Sequence, residues 1–391
     1  MGKERFIVNP FPPMELSVGD KAELQGLVAA FIDEHFPRYE EYVTVDRRQA
    51  DAKQWKLIKA KDNIRVHAKR EATTTDGGPR PTLTEASDAA GIPVVLCEGT
   101  MPGNLEDTMF GVVNPTLEIM RVKASYVDDL SGAAVLATIS KPTPDEPLQS
   151  LVLKWMELDL PLHSTNLVKN RDYVYMEATG IVFLANGERV GYHVLHSIGL
   201  PQAHELPNRI RGNLHVCGFF RQEREHSVEV HATGVCDPGG NVMRSLLLYP
   251  VALTFLSCVK YGHCGEMKKL AWLMHKRYTE AKELGAPRVK DACVNCAVPV
   301  TGRRFGNFGK TRHSCKLCFG FVCRSCRVQK RLSFVTPDLQ LEQRKVTFCP
   351  GCIKEALSFD TMEAARAQIL DAQSVYRADT GVSFTSSSDS S

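Results

Sequence analysis

The sequence predicts an α+β chain: an antiparallel curved sheet with a long C-terminal helix, followed by a small cysteine-stapled module. Three observations carry this. From Ala133 to Val235, runs of alternating apolar and polar residues are joined by short connections, which antiparallel strands require. From Leu246 to Lys282 an apolar stripe recurs at helical spacing. Four Cys-x-x-Cys pairs then fall between Cys293 and Cys352.

Taken in order, residues 1–19 read as an N-terminal extension and 20–282 as the large domain. Leu24, Leu27, Val28, Phe31 and Ile32 predict a helix, with Asp20 and Glu23 as its capping pair and Pro37 as its end. Strands are expected at Trp55–Lys59, Ile64–Lys69 and Val94–Cys97, with a mobile loop from Thr73 to Pro93. A short helix fits Leu105–Val113, while Leu117–Val127 suits helix or strand. Tyr173–Leu184 and Arg189–Leu195 form a hairpin around Asn186-Gly187, a dipeptide that favours the positive φ of a tight turn. Leu214, Val216, Gly218 and Phe220 alternate with polar or small neighbours, as do Val228, Val230 and Ala232. Val251, Phe255, Cys258, Gly262, Leu270, Leu273 and Met274 mark the apolar side of the closing helix.

The formal charge of +3 conceals a division. Leu284 to Leu357 holds fourteen Lys or Arg against four Asp or Glu, or +10, so the remainder of the +3 total carries −7. A basic module on an acidic body suggests an anionic partner: lipid headgroup, nucleic acid or acidic protein. The opening Met1-Gly2-Lys3-Glu4-Arg5-Phe6 carries no apolar signal region, and nothing approaches the ~18 apolar residues of a membrane span. A soluble intracellular protein is expected.

Trp55-Lys56-Leu57, Asn170-Arg171-Asp172-Tyr173-Val174-Tyr175, Arg211-Gly212 and the long last helix together resemble the START family of lipid-transfer domains. The resemblance covers about residues 20 to 282. It implies a helix-grip fold with an internal hydrophobic tunnel for one lipid or sterol, lidded by the C-terminal helix. The same fold also serves as a scaffold when its cavity is filled.

Catalytic constellations are absent from the large domain. Leu195-His196-Ser197-Ile198-Gly199 has Leu where a nucleophile elbow needs its first Gly, and it sits inside a strand. His193 and His196 are three apart on that strand, so they face opposite sides and cannot share a metal. No phosphate-cradling glycine loop and no His-Glu-x-x-His occurs. The chain is expected not to be an enzyme.

Of thirteen cysteines, Cys97, Cys217, Cys236, Cys258 and Cys264 are scattered and read as small buried apolar residues. The other eight, Cys293, Cys296, Cys315, Cys318, Cys323, Cys326, Cys349 and Cys352, are paired at metal-knuckle spacing. Eight thiolates make two tetrahedral sites with no open position, so two structural Zn2+ ions are expected. Only four residues separate Cys318 from Cys323, too few for those neighbouring pairs to wrap one metal. A cross-brace follows, joining pair one to pair three and pair two to pair four.

That spacing, centred on His313-Ser314-Cys315-Lys316-Leu317-Cys318, resembles the FYVE zinc finger over about residues 284 to 357. The resemblance implies binding of phosphatidylinositol 3-phosphate on endosomal membranes, with Lys310, Arg312, His313, Lys316, Arg344 and Lys345 as headgroup residues. The family's basic motif is thinned here: Thr311-Arg312-His313-Ser314-Cys315-Lys316 at the centre, Thr347 before the seventh cysteine, and no Trp-x-x-Asp entry. What remains implied is affinity for anionic membrane. Val300, Phe305 and Phe308, inside a collar of Arg303, Arg304 and Lys310, suit membrane insertion, and equally suit packing on a small metal-stapled core.

Residues 358–391 read as a short helix, with Asp360 and Glu363 at its start, and a disordered Ser-rich tail. The whole predicts a non-enzymatic peripheral membrane protein: a START-like lipid-binding domain brought to endosomal or other intracellular membranes by a FYVE-type finger. The rival is a protein-interaction adaptor whose finger and scaffold bind protein partners. A nucleic-acid partner fits poorly, because no groove-reading helix follows a knuckle and aromatics are few.

Overall fold

The computed structural model describes residues 9–46, 48–70, 92–127, 132–158, 169–240, 244–285, 292–299, 314–336 and 340–370. It divides into two compact units, Met1–Gly265 and Glu266–Ser391. Among the described residues, no helix is long and apolar enough to cross a membrane.

The first unit opens with α1, Val18–Thr44. Its cap is a capping box of Ser17 and Asp20, not the Asp20–Glu23 pair: the Ser17 hydroxyl accepts from the Asp20 N–H and the Asp20 carboxylate from the Ser17 N–H. Pro37 does not end this helix but lies inside it. Proline removes one backbone bond, and the turns beyond it are held by Tyr39 and Tyr42, both buried against the sheet. Burial of two aromatic rings outweighs the loss of one hydrogen bond.

Next come β1 (Trp55–Lys61), β2 (Ile64–Lys69), β3 (Val94–Pro102), α2 (Leu105–Val112) and α3 (Leu117–Val127). The 117–127 stretch is therefore helical. Most of the expected 73–93 loop lies outside the described residues. Seven further strands follow: β4 (Gly132–Ser140), β5 (Ser150–Leu158), β6 (Asn170–Phe183), β7 (Arg189–Ser197), β8 (Arg209–Arg211), β9 (Asn213–Arg224) and β10 (Ser227–Asp237). All belong to one ten-stranded sheet, ordered β1-β2-β3-β10-β9-β7-β6-β5-β4, with β8 on β6. Every pairing is antiparallel except β6 with β8. The Asn186-Gly187 turn joins β6 to β7, and Gly187 supplies the expected positive φ of 84°.

Both faces of the sheet are covered. On one, Leu153, Trp155, Met176, Val194, Cys217 and Phe219 pack with Phe31, Tyr39 and Tyr42 of α1. The opposite face meets α2, α3 and Tyr261, where Phe220 touches the Tyr261 ring edge-on. Central strands buried on both sides lose the clean alternation of a half-exposed sheet.

The closing helix is not continuous. α4 (Arg244–Leu256) gives way to a 3-10 turn at Ser257–Lys260 and then to α5 (Tyr261–Leu284). In that turn Lys260 donates to the carbonyl of Val127, at the last residue of α3. Gly111 and Gly265 let α2 and the start of α5 approach, since a Cβ on either would strike backbone of the other helix. The apolar stripe alone does not reveal the break, because Cys258 is buried within it.

In the second unit, β11 (Val328–Val335) and β12 (Leu341–Phe348) form a hairpin, followed by α6 (Pro350–Ser358) and α7 (Thr361–Leu370). Residues of α5 from Glu266 onward pack here. Lys269 Nζ donates to the carbonyls of Leu357 (3.2 Å) and Phe359 (3.3 Å) and to Thr361 Oγ1 (3.1 Å). It thereby satisfies the end of α6 and the start of α7.

Candidate functional sites

The eight paired cysteines converge as two groups: Cys293, Cys296, Cys323 and Cys326 in one, and Cys315, Cys318, Cys349 and Cys352 in the other. Pair one thus meets pair three, and pair two meets pair four. Local backbone explains how. After each of the first two pairs one residue turns into the left-handed region, Ala297 (φ 57°) and Phe319 (φ 60°). The chain then doubles back so that Val298 accepts from the Cys293 N–H and Gly320 from the Cys315 N–H, each at 2.9 Å. Cys349 sits at the N-cap of α6, with Cys352 one turn on.

Sulfur geometry tests whether a metal fits. Within each group the four sulfurs lie within 4.8 Å of one another. Cys296 and Cys323 sulfurs are 3.7 Å apart, and those of Cys318 and Cys349 are 4.0 Å apart. A tetrahedral tetrathiolate zinc site has edges of about 3.8 Å, from Zn–S bonds near 2.3 Å. A disulfide would need about 2.05 Å. Donors already point at the sulfurs: the Cys323 N–H reaches Cys293 Sγ (3.4 Å), Asn295 Nδ2 reaches Cys326 Sγ (3.3 Å), and the Cys352 N–H reaches Cys349 Sγ (3.4 Å). Such bonds favour thiolate, the form a cation needs.

Of the expected headgroup residues, Lys310, Arg312 and His313 lie outside the described residues, as do Val300, Phe305 and Phe308. Lys316 is half-buried beside Cys315, and its N–H bonds to the Thr347 carbonyl. Arg344 pairs with Glu342 at 2.6 Å and lies over the Phe334 ring. Lys345 is exposed and stands opposite Arg331 across the hairpin. Among the described residues from 314 to 348, Lys316, Arg324, Arg327, Lys330, Arg331, Arg344 and Lys345 face a single acid, Glu342.

In the first unit the singled-out motif residues do structural work. Asp172 is buried and accepts from Trp155 Nε1 (3.0 Å) and Arg211 Nη2 (2.8 Å). Gly212 fits where a Cβ would meet the Tyr173 ring and the Asp237 carbonyl. Ser197 Oγ accepts the Leu214 N–H. His196 shares a 2.9 Å hydrogen bond with His215, while His193 faces the other side and contacts Glu177 at 2.7 Å.

The Glu177 environment has no signature in the sequence. Its carboxylate contacts Lys154, which is wholly buried, together with Lys123, His193 and Asn114. Burial pushes the Glu177 carboxyl up, but Lys154, Lys123 and His193 outweigh it and hold it well below the usual range. This ionic cluster occupies the sheet face toward α2, α3 and Tyr261. On the α1 face lies a cavity of about 460 Å³, lined in part by Phe31, His35, Tyr42, Phe219, His215 and His231.

No protein-family model matches this chain, and no curated protein matches its sequence. Solved structures are similar to it in structure. Human StAR-related lipid transfer protein 5 is 13% identical, with 62% of this chain and 97% of that one covered and a TM-score of 0.43. Human STARD10 is also 13% identical, covering 57% and 80%, with a TM-score of 0.36. A STAR-related lipid transfer protein fragment from Xanthomonas axonopodis is 16% identical, covering 54% and 98%, with a TM-score of 0.36.

Proposed function

We propose that this chain is a non-enzymatic, lipid-binding peripheral membrane protein. Its cysteine module holds two structural zinc ions and meets anionic membrane, phosphatidylinositol 3-phosphate being the headgroup to test first. The observation that carries the membrane half is the basic surface of the module, seven cations against Glu342 among the described residues 314–348. Zinc suits an all-thiolate tetrahedral set, with no position left for substrate. The module's own core is small, so the metals supply its folding energy, and the hairpin presents exposed Arg331 and Lys345 to a surface. The large domain supplies a cavity of ligand size.

Flotation of the full, metal-loaded chain with vesicles tests this. Neutral vesicles, phosphatidylserine vesicles and vesicles carrying each phosphoinositide should be compared at two salt concentrations. Binding to anionic vesicles that weakens with salt is expected, and Lys345→Glu with Arg331→Glu should abolish it. Preference for the 3-phosphate, lost in Arg312→Ala, would place the protein on endosomes. A salt-resistant fraction removed by Phe305→Ser and Phe308→Ser would assign those rings to insertion. One observation favours the adaptor reading: the Lys154–Glu177 cluster fills part of the large domain's interior with charge rather than apolar wall. Metal-loaded chain that ignores every vesicle would put the adaptor ahead.

A further inference from the structure

The α1 face of the sheet holds the cavity of about 460 Å³, within the size range of small-molecule sites. Rings of Phe31, Tyr42 and Phe219 line it together with the aliphatic side chains of Val94, Leu96 and Val235. Charged and amide side chains, Arg38, Glu41, Asp46 and Gln54 among them, are exposed around it. An apolar interior with a polar rim takes an amphipathic molecule, apolar body inward.

What the interior offers by way of hydrogen bonding is narrow. His231 is only 8% exposed, and its Nδ1 has no hydrogen-bond partner. Its ring lies 4.3 Å from that of Tyr42. A buried imidazole nitrogen left unpaired costs stability unless something meets it. His35 Nδ1 lies 3.0 Å from the Phe31 carbonyl, so it donates there and keeps a lone pair on Nε2. Burial holds His35, His215 and His231 below the ordinary imidazole pKa, His231 at about 4, so all three are neutral near pH 7. Neutral rings do not attract a carboxylate or phosphate, and the two cations of the lining, Arg38 and Lys69, are outnumbered there by Glu41, Asp46 and Asp51. Nor do these nitrogens gather as a three-ligand metal set among the described residues.

We propose that this cavity binds a neutral, largely apolar molecule through one hydroxyl-type group hydrogen-bonded to His231. The site deepens the lipid-binding half of the function above and rests on it for the source of the ligand. Its place differs from the other sheet face, where Lys154 and Glu177 leave a charged interior.

Calorimetric titration of the full, metal-loaded chain with dodecanol, dodecanoate and dodecane at pH 7 is the test. Dodecanol should bind about tenfold tighter than either the anion or the alkane, the difference that one satisfied buried polar group supports. His231→Phe should reduce dodecanol to the level of dodecane. Thr233→Phe, which narrows the cavity, should abolish binding; Ala50→Phe, at a second lining position, serves if that variant does not fold. Equal affinity for dodecanol and dodecanoate, or dodecanol binding unchanged by both filling variants, overturns the proposal. Mass spectrometry of lipid extracted from wild type and Thr233→Phe separates the two claims. Lipid retained by the variant overturns this site and keeps the lipid-binding function, whereas wild type that neither carries lipid nor binds dodecanol overturns both.

Discussion

At the scale of single residues, the cysteines and the buried charges behave oppositely as signals. Eight cysteines at knuckle spacing are legible because metal geometry constrains both residue type and separation. Lys154 and Glu177 are not, because a charge within an alternating strand reads as a solvent-facing position. Here the supposed outer face is covered by helices. Lys154→Met leaves Glu177 buried without its closest cation and should destabilise the first unit by about 3–5 kcal/mol in equilibrium denaturation. Adding Glu177→Leu should restore much of that loss. Acid should act in the same direction. His193, His196 and His231 are depressed by burial, the last two to about 4, so the unfolded chain binds more protons as pH falls below 6.5. Glu177, held low, adds stability above its unfolded value near 4.5 and loses it as pH falls toward its depressed folded value. Thermal midpoints should therefore drop steadily from pH 7 to pH 4. In the cysteine module Ala297 holds a positive φ, so Ala297→Gly should strengthen its metal retention against a chelator, worth about 1 kcal/mol.

Among elements, strands were more legible than helix ends. The Asn186-Gly187 hairpin and the β9 and β10 alternation follow from local chemistry, and their residues pair as expected. The limits of α1 depend on distant packing. Tyr39 donates a 2.9 Å hydrogen bond to Glu229 of β10, and that tertiary anchor carries the helix past Pro37. Pro37→Ala should then stabilise the fold by on the order of 1–3 kcal/mol in denaturant titration, since it restores the missing N–H where the helix already runs. Ser17→Ala should cost about 1 kcal/mol by opening the capping box. The break in the closing helix escaped the sequence for a related reason. Lys260 lies outside the apolar stripe, and the Val127 carbonyl it meets is far away in the chain.

For the whole molecule, the chain divides into two compact units, Met1–Gly265 and Glu266–Ser391, and the basic stretch 284–357 lies in the second. The cavity lining was not legible, because strands far apart in the chain bring Phe31, Leu96, His215 and His231 together. Metal removal should separate the two units: a chelator should unfold the hairpin and knuckles of the second while the ten-stranded sheet persists in hydrogen exchange. The most direct test of the proposal that this chain is stapled by zinc and binds lipid is native mass spectrometry of the gently purified full chain. The expected mass is that of the polypeptide plus two zinc ions and one lipid. A mass with two zincs and no lipid, in chain purified from lipid-rich extract, would contradict lipid binding, and a mass without zinc would contradict the metal-stapled module itself.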